Sequence, residues 1–173
     1  MEIAIPRGSL VVLVGPSGSG KSTFAREHFR PTEVLSSDAC RAMISDDENN
    51  QVVTEEAFEL LHFIARKRLA RGRLTVVDAT NVQPRARAPL LEIARECGRP
   101  AVAIVFNLPE QLCQERNRHR TDRTFGPDVV HNHCAQLQRS LPGLEAEGFQ
   151  HVFILTTAEE VDNATVTRAL GCP

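Results

Sequence analysis

Residues 15–22 read Gly15-Pro16-Ser17-Gly18-Ser19-Gly20-Lys21-Ser22, and every position fits the pattern G-x-x-x-x-G-K-[ST]. The apolar run Leu10-Val11-Val12-Leu13-Val14 precedes it, and a helix-compatible stretch, Thr23-Phe24-Ala25-Arg26-Glu27-His28-Phe29, follows. Strand, glycine-rich loop and helix form the context in which this pattern has a mechanism. The glycines let backbone N–H groups turn inward around a phosphate with no Cβ in the way. A helix starting near Lys21 adds the positive end of its dipole. Gly15, Pro16, Ser17, Gly18, Ser19, Gly20, Lys21, Ser22 and Thr23 are therefore the expected nucleotide-binding residues. Lys21 is expected to reach the β- and γ-phosphates, and the Ser22 hydroxyl to ligate Mg²⁺ or Mn²⁺. A glycine-rich turn that matches by chance is the competing explanation, and the flanking strand and helix argue against it.

Outward from this loop, short apolar runs alternate with amphipathic stretches. The alternation predicts an α/β domain with a five-stranded, mostly parallel sheet flanked by helices. The expected strands are Ser9 to Val14, Glu33 to Ser36, Leu74 to Asp78, Ala101 to Phe106 and His151 to Leu155. The central runs are almost wholly apolar, as strands buried on both faces should be. Apolar residues at Ala57, Leu60, Leu61, Ile64, Ala65 and Leu69 predict a helix over Thr54 to Arg71, with Thr54 as its cap and Gly72 as its stop. A helix follows Pro84 and ends at Gly98, its regular part starting near Ala88 because Pro89 interrupts the pattern. Further helices are expected over Glu110 to Arg120, Asp128 to Leu141 and Val161 to Leu170. Ser45 to Gln51 is polar and acidic and reads as a surface loop.

The 173 residues suit one domain, residues 1–173, and 42% hydrophobic with 24% charged residues is a globular composition. No apolar run reaches the length of a membrane span, and the first residues lack a basic start and a long apolar core. Five scattered cysteines without a C-x-x-C pair suggest neither a zinc site nor a disulfide frame. A cytoplasmic setting is expected. The net charge of −2 argues against coating nucleic acid by bulk charge, though not against a local basic groove.

Three further groups can carry chemistry. Ser36-Ser37-Asp38-Ala39-Cys40-Arg41 follows the second strand, and ligands in open α/β sheets sit beyond the carboxyl ends of the strands. Asp38 can accept the proton of an attacking hydroxyl, and Arg41, three residues on, can hold that carboxylate and reach a substrate phosphate. The bland alternative is that Ser37 or Asp38 caps a helix. Asp78-Ala79-Thr80-Asn81 ends the third strand. Asp78 reads as the acid that orders Mg²⁺ or its water shell, with Thr80 and Asn81 placed to contact an acceptor, against the alternative of a turn capped by Asp78 or Asn81. The stretch Glu115 to Arg123 is dense in basic groups. A solvated helix face is the ordinary reading of such a run, but arginines on a lid can stabilise a transferring phosphoryl group. Arg116 and Arg123 are the residues expected to do so, on a lid spanning about 109–127, with Arg118, His119 and Arg120 exposed. Arg85 and Arg87 can touch a polynucleotide backbone. His131 and His133 read as structural.

The P-loop, Ser37-Asp38-x-x-Arg41, Asp78-Ala79-Thr80-Asn81 and the arginine-bearing segment together resemble the polynucleotide 5′-kinases. The likeness is nearest to the kinase domain of the bacterial polynucleotide kinase-phosphatase family of RNA end healing, and it covers essentially the whole chain. The resemblance implies ATP with Mg²⁺ on Lys21 and Ser22, Asp38 as general base, Arg41 on the acceptor side, and Arg116 and Arg123 as lid arginines. It implies a fold similar to adenylate-kinase-like phosphotransferases, RNA or DNA with a 5′-OH end as acceptor, and a homo-oligomer. It also implies phosphatase and ligase-like domains downstream in a full-length protein, of which this sequence would be an excised domain.

The expected reaction is transfer of the γ-phosphoryl of ATP to a 5′-hydroxyl, with Val129 or Val130 packing against the terminal base. Two other readings stay open. A small-molecule kinase of the same architecture would act on a nucleoside, sugar acid or antibiotic hydroxyl, and the net negative charge favours it. A nucleotide-dependent binding module is disfavoured: Asn107-Leu108-Pro109-Glu110 does not match N-K-x-D, and Ala79 stands where a mechanical ATPase would carry a second acid.

Overall fold

The computed structural model describes residues 1–122 and 125–169. Strict alternation opens the chain: Ile3 and Ile5 are buried and Glu2 and Ala4 exposed on strand β1 (Glu2–Pro6). Strand β2 (Leu10–Val14) is buried at all five positions. Helix α1 (Lys21–His28) starts at the end of the glycine loop. Strand β3 (Val34–Ser36), helix α2 (Ser37–Ser45) and helix α3 (Thr54–Ala70) follow. Then come β4 (Thr75–Asp78), α4 (Pro84–Glu96), β5 (Ala101–Phe106) and α5 (Glu110–Arg118). The described chain closes with α6 (Pro127–Ser140), β6 (His151–Leu155), α7 (Ala158–Asp162) and β7 (Thr165–Ala169).

The main sheet has five strands in the order β3-β4-β2-β5-β6, and every pairing is parallel. Alternate residues of β2 therefore feed two cores. Leu10, Val12 and Val14 pack with Leu61 and Leu69 of α3, Leu90 and Ile93 of α4, and Leu137 of α6. Val11 and Leu13 pack with Phe24 of α1, Cys113 of α5, and Ile3 and Ile5 of β1. The register puts Asp78 beside both Leu13 and Ser36. The loops leaving β2, β3 and β4 consequently open side by side at one sheet edge, which is where chemistry is expected in such folds.

Three local expectations are corrected. Val161 to Leu170 is not a closing helix: α7 stops at Asp162, and Thr165–Ala169 forms β7, paired in parallel with β1 in a separate two-stranded sheet. The β-branched run Thr165-Val166-Thr167 suits a pleated surface better than a helix, and β1 supplies a partner whose alternation matches. Leu170 lies outside the described residues. Thr54 does not cap α3, because the cap position is Val53. The Thr54 hydroxyl instead donates to the Gln51 carbonyl (2.8 Å) and accepts from Arg41 Nε (3.3 Å). Helix α4 is regular from Pro84 through Pro89. Pro89 sits in its second turn with its ring exposed, so the missing N–H costs one bond to the Arg85 carbonyl and the helix continues.

Candidate active site

Glycine geometry sets the loop. Gly18 (φ 82°) and Gly20 (φ 95°) occupy the left-handed region, which side chains disfavour. A Cβ on Gly18 would run into the carbonyl oxygen of Cys113, and one on Gly20 would lie 3.4 Å from Arg116 Nη1. Helix α5 therefore rests directly on the loop, and the Arg116 guanidinium overhangs the start of α1. Lys21 Nζ donates to the Pro16 carbonyl (2.8 Å) and to Ser19 Oγ (3.3 Å), curled within the loop it is to serve. Gly15 N–H donates to the Thr80 carbonyl at 2.9 Å, tying the loop to the segment after β4.

One cavity of about 760 Å³ lies at this edge. Its walls include Ser17, Gly18, Gly20, Lys21, Ser22 and Thr23 from the loop, Asp38 and Arg41 from α2, Asp78 and Thr80 after β4, Arg116 from α5 and Val129 from α6. Gly15, Pro16 and Ser19 support the loop from behind: Gly15 packs on Phe106, and Pro16 and Ser19 accept from Lys21. Val130 turns the other way, into the core. Arg123 lies outside the described residues.

The bland alternatives resolve into particular atoms. The cap of α2 is Ser36, whose Oγ accepts from Ala39 N–H (3.3 Å). Neither Ser37 nor Asp38 fills that role. Asp38 instead accepts from Arg41 Nη1 at 2.8 Å, while Arg41 is fixed on its other side by Thr54. Asn81 is the turn residue after β4. Its backbone is left-handed (φ 50°), and its amide donates to the carbonyls of Leu13 (2.8 Å) and Ala79 (3.4 Å). It is buried and does not reach the cavity, unlike its neighbour Thr80. The Asp78 carboxylate makes no hydrogen bond or ion pair among the described residues, although it is largely buried and lines the cavity.

Ser22 and Asp78 thus offer two hard oxygen donors in one cavity. No cluster of three or more His, Cys, Asp or Glu side chains forms among the described residues. That donor set fits Mg²⁺, which keeps water and phosphate oxygens as most of its ligands.

Sequence reasoning missed several wall residues. Arg120 was expected to be exposed, yet it lines the cavity and pairs with Asp122 at 3.0 Å. The Asp122 hydrogen bond raises its pKa, with Asp38 and Glu48 adding to the effect. His133, structural by its sequence context, lines the cavity, and its Nδ1 accepts from Ser17 N–H at 3.4 Å. Phe58 and Phe125 add apolar wall. Arg26 and Arg85 also line the cavity, whereas Arg87, expected at a polynucleotide backbone, is completely buried. Arg120 alone had a readable signal, lying four residues after Arg116. Burial pushes the Cys113 thiol up, against the opposing pull of Lys21 and Arg116.

Residues 10–144 match the family described as AAA domain. The chain belongs to that family. Its fold is that of P-loop kinases. A chain of the Pnkp1/Rnl/Hen1 RNA repair complex superposes with a TM-score of 0.68 at 25% identity, over 79% of this chain and 46% of that one. The present chain therefore spans less than half of that protein. The Mycobacterium tuberculosis APS kinase CysC, in complex with AMPPNP and APS, superposes at TM-score 0.52 and 22% identity, over 81% of this chain and 99% of that one. A gluconokinase from Sinorhizobium meliloti 1021 gives 0.55 and 19%, over 91% and 87%. These last two share the fold. The comparison with curated proteins found no match. No helix among the described residues is long and apolar enough to cross a membrane.

Proposed function

We propose that the protein is an ATP-dependent polynucleotide 5′-hydroxyl kinase acting in the end healing of RNA or DNA. The observation that carries this reading is the Asp38–Arg41 pair in the cavity that also holds Lys21 and Ser22. A carboxylate in that place, released from capping duty, can align a hydroxyl and take its proton. The acceptor oxygen attacks the γ-phosphorus, the bond from that phosphorus to the β–γ bridging oxygen breaks, ADP leaves, and the hydroxyl proton passes to Asp38. Lys21 and Arg116, with Arg123, stabilise charge on the phosphates, and the segment around 109–127 acts as their lid. Bound at Ser22 and, through water, at Asp78, Mg²⁺ would neutralise phosphate charge. Most of the rate enhancement is positioning and electrostatics.

The choice of a polynucleotide rests on charge and on likeness. The cavity walls carry six Lys and Arg side chains against two acids, in a chain of net charge −2. Such a concentrated positive field suits an acceptor that itself carries phosphates. The likeness to a chain of an RNA repair complex supports the same substrate. Thr80 and Arg41 are placed to meet the acceptor, and Val129 offers an apolar surface to its terminal base.

The test is end-labelling with ATP carrying a labelled γ-phosphate, run across 5′-OH RNA, 5′-OH DNA, nucleosides and small alcohols. Labelled oligonucleotide ends are expected. Label on a nucleoside or sugar acid with none on oligonucleotides would transfer the site to small-molecule phosphorylation.

A further inference from the structure

The cavity wall after β4 is held by a network that the reaction does not use. Arg87 of α4 is 0% exposed. Its Nε donates to Glu147 Oε2 (2.8 Å) and its Nη2 to Glu147 Oε1 (2.5 Å), a two-pronged pair reaching 60 residues along the chain. Its Nη1 donates to the Asn81 carbonyl at 2.7 Å. Ser140 Oγ, at the end of α6, donates to the Val82 carbonyl at 2.7 Å. The Thr80 carbonyl accepts from Gly15 N–H, and the Ala79 carbonyl accepts from the Asn81 amide. Four successive carbonyls, Ala79 through Val82, are thus each pinned by a different donor. Ala79, Thr80, Val82 and Gln83 all face the cavity.

Stability alone does not account for this arrangement. A buried ion pair is commonly no better for stability than well-packed apolar groups of the same volume. What it supplies is a fixed geometry, here around Asn81, whose left-handed backbone turns the chain out of β4. We infer that Arg87, clamped by Glu147, is a positioning residue: it fixes the Ala79–Gln83 wall so that an acceptor hydroxyl is held in line with the donor phosphate. This role rests on the kinase reading above. Arg87 touches neither donor nor acceptor and acts through the Asn81 carbonyl.

The test combines steady-state kinetics with hydrogen exchange, using the whole chain. Arg87→Gln, Ser140→Ala and the double change Arg87→Gln with Glu147→Gln are compared with wild type. The double variant leaves no lone buried charge, and Ser140→Ala removes one tether only, so the readouts survive if Arg87→Gln alone fails to fold. The expected result is faster exchange of the amides of residues 79–83 with β5 unchanged. Acceptor kcat/KM should fall by about 10- to 100-fold, the loss that an error of about 1 Å in alignment produces. The KM for ATP should stay within about twofold, because the glycine loop and Lys21 keep their own contacts, and Arg87→Lys should restore part of the acceptor loss. Folded variants with wild-type exchange at 79–83 and wild-type acceptor constants would overturn the role. So would donor and acceptor constants falling together. A wild-type protein that phosphorylates no oligonucleotide would overturn the kinase reading instead, and the exchange data would still decide whether Arg87 fixes the wall.

Discussion

Removing Asp38 and Arg41 singly and together probes the centre of the proposed chemistry. If Asp38 takes the hydroxyl proton, Asp38→Ala should lower kcat by about 10²- to 10⁴-fold, equivalent to about 2.7–5.4 kcal/mol of transition-state stabilisation. Arg41 donates to Asp38 Oδ1 at 2.8 Å, and the two side chains are 9% and 27% exposed. The pair lies between a solvated surface contact and a dry one. A charge-assisted hydrogen bond in such a setting contributes about 1.5–3 kcal/mol, so Arg41→Ala should cost about 10- to 150-fold if its work is to hold the carboxylate. In the double variant the two losses should not add, because with no carboxylate there is nothing left to hold. The double variant should fall within about threefold of Asp38→Ala alone, and any larger deficit measures direct contact between Arg41 and the acceptor. The assay is transfer of labelled γ-phosphoryl to a 5′-OH oligonucleotide, with ATP affinity measured by titration calorimetry and unchanged throughout. An Asp38→Ala protein within tenfold of wild type would remove Asp38 as base, and fully additive losses would remove Arg41 as its holder.

Other outcomes follow from single contacts. Gly18→Ala must adopt a left-handed conformation and push against the Cys113 carbonyl, so a loss of about 2–5 kcal/mol in chemical denaturation is expected, together with weaker ATP binding. Ser36→Ala removes the cap of α2 and should cost about 1 kcal/mol by the same measurement, with Asp38 chemistry retained. His62 is held below its ordinary pKa by burial, with Arg66 adding to the shift, and its Nε2 is buried without a partner. The folded state therefore binds that proton less readily than the unfolded one. Its contribution to stability is complete above the unfolded histidine pKa and is lost as pH falls through the window below it. Urea titrations from pH 8 to 5 should show that decline, and His62→Leu should flatten it. The Cys134 thiol, raised by burial to about 12 with Cys113 and Glu110 contributing, should resist alkylation at pH 8 until the protein is unfolded.

The phosphate loop and the five strands of the main sheet were legible because their signals are local. A glycine pattern and continuous apolar runs such as Ala101–Phe106 need no partner to be read. Asp38, Arg41 and Asp78 were legible because strand ends share one edge in such sheets. The residues missed depend on contacts distant in sequence. Nothing near Arg87 announces Glu147, so a surface role was the natural reading of Arg85 and Arg87 together. Asn81 sits in the right loop, but its left-handed backbone turns its amide toward Leu13, and only the fold reveals that. Strand β7 resembles a helix in sequence because its β-branched run has value only against β1, at the opposite end of the described chain. Thr54 is a good cap by residue type, but Arg41 and Gln51 engage its hydroxyl first.

The strand order carries a consequence for how the chain acquires its shape. β2 lies at the centre of the sheet, yet its neighbours β4 and β5 begin at Thr75 and Ala101, and among the described residues β1 pairs with Thr165–Ala169. During synthesis the most apolar strand emerges early and must wait with both edges open, the state in which polypeptides stick to one another. Assembly should therefore be slow and late, and a ribosome-bound fragment stopping before Thr165 should leave the backbone edge of β1 open to chaperones.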